Sequence, residues 1–168
     1  MRKRPAGFTL VELMIVMTLI AIMALSVAPV FRGSLARARA DHAARDLFAE
    51  IKAAQESAVS EGVEYRVYFD LKKNAYWPAR PGVTKDGEWA FLPVDVPGGE
   101  AIRLPDRLSI DEVRGRKGDS GTKYLAFFPT GVGDAGEIKM HDEVDRTRRF
   151  TIETDGTRAS ITFPGERR

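Results

Sequence analysis

The sequence has no cysteine, which rules out both a disulfide framework and a thiolate metal site; an oxidising compartment is permitted without being indicated. Histidine is nearly absent as well, with His42 and His141 alone. No internal repeat is evident, and neither sign of charge is in large excess. The net charge is +2, but three of the 26 basic residues are Arg2, Lys3 and Arg4, and the other 23 face 24 acidic ones. From Gly62 to Arg168 the two signs balance at 18 each, so that region makes no bulk electrostatic case for nucleic acid. At 168 residues the chain fits one globular domain plus a segment outside it, and is too short for a two-domain enzyme.

Charge is also missing locally. Between Leu13 and Val30 the chain reads LMIVMTLIAIMALSVAPV, 18 residues without an ionisable group. As a helix this run covers about 27 Å, close to the hydrocarbon thickness of a bilayer, and Phe8, Leu10 and Val11 extend it. A secretory signal peptide would also begin basic and continue apolar, and Ser26-Val27-Ala28 imitates its cleavage site, although Pro29 makes that site a poor one. Glu12 separates the two readings. A carboxylate within an apolar segment costs roughly 2.5–3.5 kcal/mol on translocon scales, so it needs a compensating partner, and a disposable signal gains nothing from it. Basic residues stand on both sides of the run, Arg2 to Arg4 before it and Arg32, Arg37 and Arg39 after, so the positive-inside rule alone does not orient it.

The string Gly7-Phe8-Thr9-Leu10-Val11-Glu12-Leu13 resembles the processing motif of type IV pilins and of the pseudopilins of type II secretion systems. The short basic leader, the apolar tract and Pro29 within it agree with the motif. The resemblance implies that a membrane peptidase cuts after Gly7 and methylates the amine of Phe8, leaving Glu12 as the fifth mature residue. The new amine can then approach the Glu12 carboxylate of a neighbouring subunit in a staggered helical stack, where a low dielectric strengthens the attraction. Glu12 would set the register of assembly.

Beyond Gly33 the pattern changes. Ser34 to Ser60 reads as an amphipathic helix with Leu35, Ala43, Leu47, Ile51, Ala54 and Ala58 on one stripe, continuing the apolar span as one rod, and Gly62 supplies a stop. From Val63 the chain turns β-rich: Val63 to Asp70, Ala75 to Trp77, Trp89 to Val94, Ile102 to Leu104, Leu108 to Val113, Tyr124 to Phe128 and Glu137 to Met140 are strand candidates. Arg149 to Thr154 and Arg158 to Phe163 flank Asp155-Gly156, a hairpin signal. Lys72 to Asn74 marks a turn, and Pro78 to Glu88 and Gly115 to Thr122 read as loops.

Phe127-Phe128-Pro129-Thr130-Gly131 and the final hairpin with Gly156-Thr157-Arg158 resemble the H-type minor pseudopilins and their FimT/FimU-like minor pilin relatives. The fold implied is α+β: a long helix, half transmembrane and half amphipathic, packed on a C-terminal antiparallel β-rich head of two sheets. Its segments would be a leader (1–7), an assembly helix (8–31), an amphipathic stalk (32–61) and a periplasmic head (62–168). The resemblance implies an inner-membrane, single-pass subunit without cofactor or catalytic residues. Its partners would be the other minor pseudopilins, the major pseudopilin, the prepilin peptidase and the assembly platform. The alternative is a minor type IV pilin, with Arg148, Arg149 and Arg158 holding DNA, but nearby Asp142, Glu143, Asp145, Glu153 and Asp155 weaken such a field.

Three other patterns are weaker. Gly118-Asp119-Ser120-Gly121 copies a serine-protease tetrad, but His42 falls on the stalk and His141 follows the serine, so no triad is expected. Gly131-Val132-Gly133-Asp134-Ala135-Gly136 has dinucleotide-binding spacing, yet Glu137 to Met140 reads as a strand where a phosphate-binding helix would have to begin. Asp142-Glu143 with Asp145 is the nearest approach to a calcium loop, and a sparse one.

Overall fold

A computed structural model describes residues 9–94 and 101–165, without the side chains of 24–32 and 120. One helix, α1, runs from Leu10 to Glu61, and Gly62 ends it at a φ of 70°, the left-handed stop expected there. The chain divides into two compact units, the first ending at Ala38 and the second running from Arg39.

In the second unit α1 buries Ala40, Ala44, Leu47, Ile51, Ala54 and Ala58, in alternating steps of four and three. This corrects the expected stripe at its start. Leu35 is exposed, five residues before Ala40 and so well off the stripe, and Ala44 takes the fully buried place assigned to Ala43, which is only partly covered. Four of the six buried residues are alanines.

Ten strands follow among the described residues: β1 (Tyr65–Asp70), β2 (Ala75–Val83), β3 (Trp89–Pro93), β4 (Ile102–Arg103), β5 (Leu108–Arg114), β6 (Arg116–Lys117), β7 (Lys123–Phe127), β8 (Ala135–Asp142), β9 (Arg149–Asp155) and β10 (Ala159–Thr162). They form two antiparallel sheets, one ordered β3-β2-β1-β7-β6 with β4 beside β2, the other β10-β9-β8-β5. Alternation sends Tyr65, Val67 and Phe69 of β1, Ile138 and Met140 of β8, and Phe150 and Ile152 of β9 into one core with the helix stripe.

The chain crosses from the second sheet to the first at Gly115, between β5 and β6, where a Cβ would sit 2.6 Å from the Tyr124 carbonyl oxygen. Asn74, at a φ of 49°, ties the sheets from the other side: its Nδ2 donates to the Leu108 carbonyl (2.6 Å) and its Oδ1 accepts from the Ile110 N–H (3.0 Å).

Both expected loops contain strand. β2 continues to Val83 despite Pro78 and Pro81. Pro78 faces β3, accepting from the Val94 N–H, just beyond the ladder's last pair, Ala79 with Pro93. Pro81, three residues on, faces the β1 side, where pairing has already ended at Ala79. Pro78 forgoes only the return bond to Val94, at the end of the ladder, and Pro81 has no partner strand on its N–H side. Within Gly115 to Thr122, β6 pairs β7 and a 3-10 turn spans Asp119–Gly121.

Candidate functional site

The first unit presents an apolar surface. Leu10, Val11, Leu13, Met14, Ile15, Met17, Leu19, Ile20, Ile22 and Met23 are each more than half exposed, all around the helix. Helices apolar on every face are covered by protein or lipid. Among the described residues no helix is long and apolar enough to cross a membrane; the expected span runs through 24–32, whose side chains lie outside the described set. Gly7 and Phe8 also lie outside it.

Glu12 occupies the first helical turn, exposed, with its N–H donating to Thr9 Oγ1 (3.2 Å). Thr9 therefore caps the helix, with Glu12 in the glutamate position of a capping box, where the helix dipole favours a carboxylate. The spacing Thr9-x-x-Glu12 carries this signal, and sequence reasoning passed over it because the processing motif explained the same residues.

In the head, the segments that carry the family resemblance meet on the helix. The Phe128–Gly131 turn closes through Gly131 N–H to the Phe128 carbonyl (3.0 Å), with Gly131 at a φ of 81°. The β9–β10 hairpin turns at Gly156 and Thr157, with the Asp155 carboxylate accepting from the N–H groups of Thr157 (2.8 Å) and Arg158 (2.7 Å). Those donors hold the Asp155 carboxyl below the usual range. Gly133 N–H bonds the Gly156 carbonyl, joining the two loops. Gln55 of α1 then donates through Nε2 to the Gly131 carbonyl (3.0 Å) and the Thr157 carbonyl (3.1 Å). The glycine run thus serves a turn and leads into β8, a strand where nucleotide binding would need a helix.

The β8–β9 connection is organised by Asp142. Its carboxylate, without solvent exposure, pairs with Arg107 Nε (2.7 Å) and accepts from the N–H groups of Val144 (2.9 Å) and Asp145 (3.1 Å). Burial alone would push this carboxyl up, but Arg107 and the two N–H donors outweigh it and hold it low. Both Asp142 oxygens, part of the sparse calcium candidate, are thus engaged within the protein, and no metal-holding cluster occurs among the described residues.

The three arginines of the DNA reading stand apart in their surroundings. Arg148 reaches Asp41 of α1 (2.7 Å) and clamps the β8–β9 loop to the helix. Arg149 opens β9 opposite His141, and Arg158 lies in the hairpin turn with Asp155. His141 is engaged by Asp111 (2.6 Å) on β5 and lies near Glu143 (3.5 Å), while Ser120 belongs to the 3-10 turn beside β6.

A prokaryotic N-terminal methylation motif matches residues 2–28, and the family described as Type II transport protein GspH matches residues 43–156, more than half of the chain. The chain belongs to the GspH family. Solved structures show the same fold. The minor pseudopilin EpsH of the Vibrio cholerae type 2 secretion system is 15% identical, with 76% of this chain and 99% of that chain covered at a TM-score of 0.59. Escherichia coli GspH is 19% identical, covering 78% of this chain and 92% of that one at 0.58. The Pseudomonas aeruginosa type IV minor pilin FimU follows at 17% identity, 77% and 92% coverage and 0.53. No curated protein matches the sequence. For a GspH-family chain, the Gln55 junction is where helix, Phe-x-Pro-x-Gly-like turn and terminal hairpin are fastened together.

Proposed function

We propose that this GspH-family chain works as a minor pseudopilin of a type II secretion pseudopilus, a structural subunit whose task is assembly. The single observation that carries the reading is the helix from Leu10 to Met23, apolar on all sides, with one carboxylate in its capped first turn. In this reading a prepilin peptidase cuts after Gly7 and the amine of Phe8 is methylated. The helix then rests in the inner membrane with the head in the periplasm, until the chain joins the other minor pseudopilins and the major one on the assembly platform. There the Glu12 carboxylate answers the Phe8 amine of an adjacent subunit. Both charges are removed from an apolar environment together, which makes the pair a register device.

Mass spectrometry of the membrane-extracted protein should find N-methylated phenylalanine at its start. Glu12→Gln should leave cleavage intact while incorporation into the assembled complex falls by about tenfold or more. An intact Met1 start, or a terminus near Ala28, would remove the basis for the reading, and wild-type incorporation of the Gln variant would remove the charge pair.

A further inference from the structure

Antiparallel sheets that face water on one side ordinarily carry polar side chains there. The outward face of the larger sheet departs from this. Tyr68 of β1 stacks on Trp77 of β2 with centroids 5.5 Å apart and planes 9° from parallel, and it leans on Tyr124 of β7 at 5.2 Å. Phe91 of β3 joins them through Arg66, whose guanidinium lies 3.5 Å from the Phe91 centroid and 4.6 Å from that of Tyr124. Arg66 can lie flat because its cross-strand neighbours are Ala79 and Ala126. Both alanines are buried yet lie outside the core cluster, as does Ala75, so the aromatic layer covers them from outside. Trp89, 80% exposed, extends the layer along β3, the last strand of the sheet.

Two depressions share Trp77 and Phe91 in their walls. One, of about 530 Å³, reaches Trp89, Asp119 and Thr122. The other, of about 420 Å³, is lined by Ala75 and Pro93 and by two cations, Lys73 and Arg103, with no carboxylate among the described residues of its wall. The carboxylate beside Lys73 is Asp70, at 4.0 Å, and Arg103 has no ion-pair partner among the described residues.

We propose that this face docks an extended acidic peptide segment of a partner protein, seating an apolar side chain against Trp77 and Phe91 and neighbouring carboxylates against Lys73 and Arg103. Charge decides the occupant: a basic segment would meet Lys73 and Arg103, whereas a carboxylate can take both donors of the Arg103 fork. Tyr68 and Trp77 turn their ring faces on each other, while Trp89 keeps an open ring on which a sugar could stack, so a sugar serves as the control. The free edge of β3 alongside offers main-chain partners to an extended chain. This inference concerns the head alone and does not depend on how the helix assembles.

The chain's two tryptophans, Trp77 and Trp89, are both in this face, so intrinsic fluorescence reports on it without a label. The full-length chain in detergent micelles is titrated with an acetylated Asp-Leu-Asp-Phe-Asp amide, its Asn-for-Asp and Lys-for-Asp counterparts, and chitotetraose. Saturable emission change is expected with the acidic peptide alone. Arg103→Glu should weaken it about tenfold or more, while Arg149→Glu, in the other sheet, should leave it unchanged. The proposal is overturned by absence of saturation at millimolar peptide, by equal binding of the lysine peptide or the sugar, or by an Arg103→Glu variant that binds as wild type.

Discussion

Asp142→Asn is the most informative single change in the head. Asparagine keeps the Oδ1 that receives Val144 and Asp145, so the turn survives, but it replaces Oδ2 with an amide donor facing Arg107 Nε, itself a donor. Asp142 has no solvent exposure and the Arg107 side chain only 13%, so neither charge is readily rehydrated. Removing one partner of a buried pair costs about 3–5 kcal/mol, and the residual exposure of Arg107 places this case near 3 kcal/mol. For a unit of this size that corresponds to a fall in Tm of about 10–15 °C.

Circular-dichroism melts of residues 39–168, a compact unit with its own core, measure it. The pH dependence supplies the stricter test. A carboxyl whose folded-state pKa is lowered contributes fully above its unfolded value, about 3.9, and loses that contribution as pH falls through the lower folded value. The gap between wild type and Asp142→Asn should therefore be wide at pH 7 and close under strongly acid conditions. Asp142→Ala, which also takes the acceptor from two N–H groups, should cost at least about 1 kcal/mol more. A gap under about 1 kcal/mol at pH 7, or one that persists unchanged in acid, would refute the assignment of a buried charge pair.

Gly156→Ala should lose about 2–3 kcal/mol by denaturant midpoint, since φ is 92° and the new Cβ would lie 2.6 Å from the Gly133 carbonyl oxygen. Gly87→Ala, at a φ of 83° with open space around it, isolates the backbone contribution and should cost only about 1 kcal/mol. Gln55→Leu should cost about 1–2 kcal/mol and speed amide exchange in the Phe128–Gly131 turn and the terminal hairpin more than in β1, because both loops lose their donor from the helix.

The elements easiest to read in the sequence were those whose signal is local. Gly62 ends α1, the alternation of Tyr65, Val67 and Phe69 gives a half-buried strand, and Asp155-Gly156 gives the last hairpin. The misreadings came where the deciding partner lies elsewhere in the chain. Pro78 and Pro81 look like loop residues until each is seen to turn its missing N–H toward the side of β2 on which pairing has ended. Gln55 resembles any solvated helix position; its importance lies in two carbonyls that come from residues 131 and 157. Asp142 looked like a sparse metal ligand because Arg107, its true partner, precedes it by a whole strand and more. The tie between Arg148 and the helix is hidden for the same reason, its partner Asp41 being far away in the chain.

The buried stripe of α1 begins at Ala40, and the core cluster it enters is closed by strands from both sheets. The apolar side chains from Leu10 to Met23 contribute nothing to that cluster and remain exposed in the single chain. One helix thus meets two demands: a stripe of small residues satisfied within the head, and an apolar surface that another molecule must cover. In the proposed assembly the second demand is what gives Glu12 its role, because a carboxylate drawn into an apolar environment is costly until a partner charge answers it. On that reading the stability of the subunit lies in its head and the specificity of its association in its helix. Substitutions at Asp142, Gly156 or Gln55 should accordingly lower the melting point of the head, whereas Glu12→Gln should leave that melt unchanged and act on assembly alone.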